Sequence, residues 1–195
     1  ERVDQMIIID DDFLIPEVRD QIEKEVFAMP FYFNPKTGSV KDNVSGIDGD
    51  FLDFPMFVSG RNSANVPEPI VDVGRYILDQ FTKKHNVVVS GVDRIKSNMS
   101  FRSNRKVPAI PHVDTHHNYN VLLYYVFDSD GDTILYDQFG SLDKVTEEKD
   151  LTIVNSVSPL KGRAVMFESN RFHCWVPPVE SDARCVININ FRMGE

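Results

Sequence analysis

In Pro111-His112-Val113-Asp114 a histidine and an aspartate stand one residue apart, and the strand-like run Asn118 to Phe127 follows almost at once. Side chains alternate faces along an extended chain, so His112 and Asp114 point the same way. Together they can fill two positions on one metal ion, with His173, further along, as the candidate third. Alone, a His-x-Asp pair is a weak signal. The chain has five histidines and 30 acidic residues, and an ordinary surface turn accounts for one such pair. The neighbouring sequence decides between the two readings.

Around the pair the chain reads as a succession of short strands: Val87 to Ser90, an alternating Arg94 to Phe101, Asn118 to Phe127, Thr133 to Tyr136, Leu151 to Val157, Ala164 to Phe167, Phe172 to Val176 and Cys185 to Phe191. Turn-forming residues separate them, among them Asp128 to Asp132, Pro159 to Gly162 and Pro177-Pro178. Short strands with polar turns predict an antiparallel barrel or jelly roll. The N-terminal part differs. A strand over Met6 to Asp10 precedes a helix from Pro16 to about Ala28, striped by Val18, Ile22 and Val26, and a second helix runs from about Pro67 to His85, striped by Ile70, Val73, Ile77 and Phe81. Residues 29–65 are irregular but rich in aromatics, unlike a linker. They read as an ordered insertion or lid, with a strand near Met56 to Ser59. No repeat or boundary is visible. The expectation is one mainly β domain of the α+β class over residues 1–195, with 1–86 as support and lid and 87–195 as the β core.

Composition narrows the function. Apolar content of 42% and charged content of 26% are those of a soluble globular protein. A net charge of −9 speaks against a general grip on nucleic acid or on an anionic membrane. No apolar run is long enough to span a bilayer. Two cysteines, Cys174 and Cys185, are too few for a disulfide framework, so buried thiols in a reducing cytoplasm are expected.

Four features favour the metal reading. His173 sits in Phe172-His173-Cys174-Trp175-Val176, directly after a turn. Two histidines and one carboxylate on one face of an ion, with other positions open, is the arrangement used for non-haem Fe(II) oxygen chemistry. Arg184 opens a strand on which Arg184, Val186, Asn188 and Asn190 share a face, polar enough to need a polar ligand. Arg184 can clamp a carboxylate through two parallel hydrogen bonds, with Asn188 adding one more. Tyr125 can donate its hydroxyl inside the same pocket. Tight turns, Gly131-Asp132-Thr133 and Lys161-Gly162-Arg163, precede the intervening strands. Weaker candidates for substrate contact or support of the ligands are Asn98, Arg102, His116 and Trp175. Each also has a plain structural reading, as surface residue or core.

The order His112-x-Asp114, Gly-containing turn, Gly162-Arg163-Ala164-Val165-Met166-Phe167, His173, Arg184 resembles the Fe(II)/2-oxoglutarate-dependent dioxygenase superfamily. Within it the likeness is to the prolyl-hydroxylase-like branch and its small phage-encoded relatives, over roughly Arg94 to Phe191. The resemblance implies a double-stranded β-helix of the jelly-roll, cupin-like kind. It implies His112, Asp114 and His173 on Fe(II), and 2-oxoglutarate held at its distal carboxylate by Arg184, with Tyr125 and Asn188 assisting. O₂ is then the oxidant, and the activity is hydroxylation of a C–H bond in a small molecule or peptide, a prolyl residue being one candidate. A cytoplasmic location follows, that of the host if the protein is phage-encoded, with no nucleic-acid or membrane partner. Two other readings stay open at this point: a catalytically silent module that binds metal or 2-oxoglutarate, and a cupin-like metalloenzyme that does not use 2-oxoglutarate.

Overall fold

The computed structural model describes residues 6–35, 44–45, 54–60, 68–115, 119–141 and 146–194. In chain order the elements are β1 (Ile8–Asp10), α1 (Pro16–Phe27), β2 (Tyr32–Asn34), β3 (Val44–Ser45), β4 (Met56–Ser59), α2 (Pro69–His85), β5 (Val89–Phe101), β6 (Asn120–Tyr125), β7 (Thr133–Phe139), β8 (Thr146–Glu147), a 3₁₀ turn (Glu148–Asp150), β9 (Ile153–Val157), β10 (Ala164–Glu168), β11 (Arg171–Trp175) and β12 (Ala183–Met193). The expected strand near Met56 is β4. The two strand-like runs before the His-x-Asp pair are one continuous strand, β5.

Seven strands form a large sheet in the order β1-β10-β6-β12-β5-β4-β2, and three form a small one, β11-β7-β9. β12 lies between β5 and β6 and pairs antiparallel with both. The two sheets enclose an apolar layer in which Leu123 and Val186 of the large sheet meet Leu135 and Val157 of the small one. This is the jelly-roll arrangement expected from the sequence.

The helices cover the other face of the large sheet. Ile22 and Val26 of α1 and Ile70, Ile77 and Phe81 of α2 pack with Ile95, Leu122, Ile187 and Ile189. Pro16 suits the first turn of α1, and Asn86 closes α2 in the left-handed conformation with φ 55°. Gly74 on α2 sits directly over Ile95, where a Cβ would collide with that side chain, so the glycine sets how closely helix and sheet approach. A charged clamp ties the first strand to the end of α2. Asp10 accepts hydrogen bonds from Lys84 Nζ at 2.9 Å and meets His85 Nε2 at 2.7 Å. Both cysteines are free and buried, as expected. Among the described residues no helix is long and apolar enough to cross a membrane.

Candidate metal and cosubstrate site

The chain brings His112 and His173 together through the backbone. Residues around His112 run antiparallel to β11, where His112 N–H donates to the carbonyl of His173 at 3.0 Å and His173 N–H donates to that of His112 at 2.9 Å. Asp114 N–H extends the pairing by donating to the Ser169 carbonyl at 2.9 Å. Alternation then does what the sequence predicts: Val113 turns into an apolar cluster with Phe172 and Cys174, while His112 and Asp114 turn the opposite way. The β11–β7 register shifts between Arg171 and His173, a local irregularity of the sort that re-aims side chains beside functional sites.

The three side chains converge. One ligand atom from each of His112, Asp114 and His173 lies within 4.8 Å of the others. Asp114 Oδ1 is 3.7 Å from His112 Nε2 and 3.8 Å from His173 Nε2. Each imidazole is oriented from behind. His112 Nδ1 meets the Ile110 carbonyl at 3.1 Å, and His173 Nδ1 meets the Arg171 carbonyl at 3.0 Å. A carbonyl only accepts, so both Nδ1 atoms carry the proton and both Nε2 lone pairs face the common centre. Burial, with His112 close beside it, pushes His173 down to about 4, which keeps it neutral and able to ligate near pH 7.

Asp114 is held by its other oxygen. Oδ2 accepts from Asn188 Nδ2 and Asn190 Nδ2, each at 3.1 Å, and pairs with Arg94 Nη2 at 3.0 Å. Arg94 Nε in turn donates to Asn190 Oδ1 at 2.8 Å. Burial alone would raise the Asp114 carboxyl, but Arg94, with the nearby imidazoles and Lys96, holds it well below the usual carboxylate range. Two amide donors and the Arg94 charge on Oδ2 leave Oδ1 as the free oxygen facing the two histidines.

The same cavity reaches Arg184, which lines it together with Thr133, Asn188, His112, Asp114 and His173. Arg184 is buried at 4% exposure. Its Nε donates to the Gly131 carbonyl and its Nη2 to Thr133 Oγ1, both at 2.7 Å. Gly131 fits this approach, since a Cβ there would stand 2.9 Å from Arg184 Cδ and 2.6 Å from the Val176 carbonyl. Tyr125 also donates to Thr133 Oγ1, at 2.7 Å. With both lone pairs of that hydroxyl engaged, its own proton is available to a further acceptor. Desolvation lowers the guanidinium of Arg184, yet no carboxylate of the described residues lies within ion-pair distance of it. A buried cation without a counter-charge is costly. The donor set fits a ligand carboxylate, and the triad's two nitrogens and one oxygen fit Fe(II).

The structure adds detail to several expectations. Asn188 lines the cavity, but its amide donor goes to Asp114, at the triad end rather than beside Arg184. Tyr125 meets Arg184 through Thr133 and through its ring, whose centroid is 5.7 Å from the guanidinium carbon. Trp175 does two things at once: it walls the cavity and packs on Phe54, with ring centroids 5.5 Å apart. Asn98 lines the cavity. Arg102 does not. It pairs with Asp182 at 2.6 Å and borders an adjacent aromatic cleft of Phe33, Phe54, Phe57 and Trp175. His116 and its neighbour His117 lie outside the described residues. Sequence reasoning missed Arg94, Lys96, Thr133 and a role for Asn190. The alternation of Arg94, Lys96 and Asn98 along β5, three polar residues on one face, was the available signal.

No protein-family model matches this sequence, and no curated protein matches it. Solved structures do match the fold. A prolyl hydroxylase from Trichoplax adhaerens, in complex with a hypoxia inducible factor oxygen degradation domain peptide fragment, superposes with a TM-score of 0.61 at 14% identity, covering 97% of this chain and 84% of that one. A prolyl-4-hydroxylase from Pseudomonas putida gives 0.56 at 12% identity, over 97% and 94% of the two chains. The viral collagen prolyl hydroxylase of Paramecium bursaria Chlorella virus-1, as its 2OG complex, gives 0.55 at 13% identity, over 98% of both. The chain therefore has the fold of the 2OG-Fe(II) oxygenases, as the sequence motifs imply.

Proposed function

We propose that this protein is an Fe(II)- and 2-oxoglutarate-dependent dioxygenase that hydroxylates a C–H bond. The observation that carries the reading is one cavity that joins a convergent His112, Asp114 and His173 to a buried, uncompensated Arg184. Fe(II), when bound, supplies the redox chemistry by which one atom of O₂ enters the substrate as hydroxyl and the other enters succinate as 2-oxoglutarate loses CO₂.

The chain's own residues would do the rest. His112, Asp114 and His173 would hold the ion through Nε2, Oδ1 and Nε2. Arg94, Asn188 and Asn190 would keep Asp114 bound through one oxygen only, which leaves coordination positions for the cosubstrate and O₂. Arg184 and the hydroxyl of Thr133, itself fixed by Tyr125, would take the distal carboxylate and so orient the keto acid toward the metal. Trp175 would wall the site from water. A cupin-like enzyme that makes no use of 2-oxoglutarate would have no need of the Arg184 donor cluster.

The test is turnover. Metal-free protein, loaded with Fe(II) without oxygen and then given O₂ and 2-oxoglutarate, is expected to form succinate slowly even without its substrate, and His173→Ala is expected to form none. Failure of the wild-type protein to bind either Fe(II) or 2-oxoglutarate would overturn the reading.

A further inference from the structure

Among the described residues the cavity is lined by one arginine, Arg184, which the distal carboxylate of the cosubstrate would answer, and by one lysine, Lys96. Lys96 lies opposite Asn188 in the β12–β5 register and shares the cavity with all three triad residues. Among the described residues no carboxylate lies within ion-pair distance of its ammonium, and no acceptor takes its protons. Arg94, two residues before it on the same face, is already committed to Asp114 at 3.0 Å. Desolvation, followed by the charge of Arg94, pushes Lys96 down to about 8. A half-buried ammonium that stays unpaired beside another cation is unfavourable unless an anion joins it.

Two further atoms at the same wall lack partners. Asn188 is buried at 6% exposure and its amide nitrogen donates to Asp114, which turns its Oδ1 away from that carboxylate, and that oxygen has no donor. Asn98, two residues along β5 from Lys96 on the same face, also carries a buried Oδ1 without a donor. The wall thus offers one cation and two acceptors. A simple carboxylate answers the cation alone. A carboxylate with an N–H or O–H group beside it answers all three. 2-Oxoglutarate carries no such donor, and its two ends are already matched by Arg184 and the metal position.

We propose that Lys96, Asn98 and Asn188 form the subsite for the molecule to be oxidised, and that this molecule carries a carboxylate with an amino or hydroxyl group beside it, as amino acids and hydroxy acids do. The inference rests on the dioxygenase reading above. It places the substrate's polar head on β5 and β12, with the rest of the molecule free to extend past Trp175, the residue shared by this cavity and the aromatic cleft.

The experiment uses protein loaded with Mn(II), a redox-inert substitute for Fe(II), and 2-oxoglutarate. The probes are the twenty L-amino acids together with glycolate and lactate, added singly and followed by melting temperature and then by calorimetry. At least one probe is expected to raise the melting temperature and to bind the wild-type protein saturably. Lys96→Gln is expected to weaken that probe at least tenfold and Lys96→Arg to restore most of it, with Mn(II) and 2-oxoglutarate titrated in parallel on each variant. Loss of 2-oxoglutarate affinity in Lys96→Gln, with probe binding intact, would show that the carboxylate on Lys96 is the cosubstrate's own and overturn the proposal. So would a panel in which no probe binds, or one that binds Lys96→Gln as well as wild type. If the wild-type protein takes up neither Mn(II) nor 2-oxoglutarate, it is the dioxygenase reading that fails first.

Discussion

Strand β12 shows two faces that are equally buried and chemically opposite. Toward the helices, β12 presents Cys185, Ile187, Ile189 and Phe191, each at 1% exposure or less. Toward the cavity it presents Arg184, Val186, Asn188 and Asn190, none above 6%. β5 repeats the chemical contrast, with Ile95 buried on the helix side and the half-buried Lys96 and Asn98 lining the cavity on the face where Arg94 meets Asp114. Burial of the first face is favourable in itself, because apolar surface leaves water. Burial of the second is unfavourable until something pairs with its charges. The helix face explains why the protein folds, and the cavity face is intelligible only through what it holds.

The contrast can be broken from either side. The largest effect is expected from Asp114→Asn, which removes the anionic ligand and leaves Arg94 unpaired. Divalent metal binding should vanish in a calorimetric titration while the protein stays folded by circular dichroism. On the opposite face Ile187→Ala should cost about 2–5 kcal/mol of stability in a denaturant melt, as for other large-to-small core changes, with metal affinity kept. If Ile187→Ala weakened metal binding as much as it weakened the fold, the two faces would not be separable. Arg184→Met should cost about 2–5 kcal/mol of 2-oxoglutarate binding, as for truncation of one partner in a buried charge pair, with Mn(II) affinity unchanged. Asn190→Ala should lower metal affinity about 10–100-fold, the range seen when a residue that orients a ligand is removed.

The smallest expected effect lies far from the cavity, at Asp10. Burial would raise this carboxyl, but hydrogen bonds from Lys84, the Asp12 backbone and His85 outweigh it and depress the group. A depressed carboxyl stabilises the folded state above its unfolded value, and that stabilisation is lost as pH falls through the folded value. Asp10→Asn should therefore cost on the order of 1–3 kcal/mol near pH 7, as for a hydrogen bond to a charged group. The difference from wild type should shrink in strong acid, which melting curves across pH would show.

Much of this was legible in the sequence, for physical reasons. The strands of the β core carry period-two patterns between turn residues, and the two helices carry stripes of buried aliphatics, so local chemistry specifies them. His112 and Asp114 share a face because alternation is local. Arg184 was readable because a cation at the head of an otherwise inward strand is anomalous. The partners of Asp114 were harder. Asn188 and Asn190 meet it only because β12 lies beside β5 and near the His112 segment, a relation set by sheet order and not by spacing. Asn188 was placed on the right face, but its partner on that face depended on register. Thr133 read as the junction of a turn and a strand, and its position between Tyr125 and Arg184 comes from the packing of one sheet on the other.

The central claim is that the buried polar face exists to hold a metal and a dicarboxylate together. Calorimetry with Mn(II) and then 2-oxoglutarate tests it most directly, on the wild type and on His173→Ala. The account predicts one Mn(II) per wild-type chain, 2-oxoglutarate binding that requires the metal for full affinity, and loss of both in the variant. Equal binding of Mn(II) by wild type and His173→Ala, or 2-oxoglutarate binding indifferent to the metal, would contradict it.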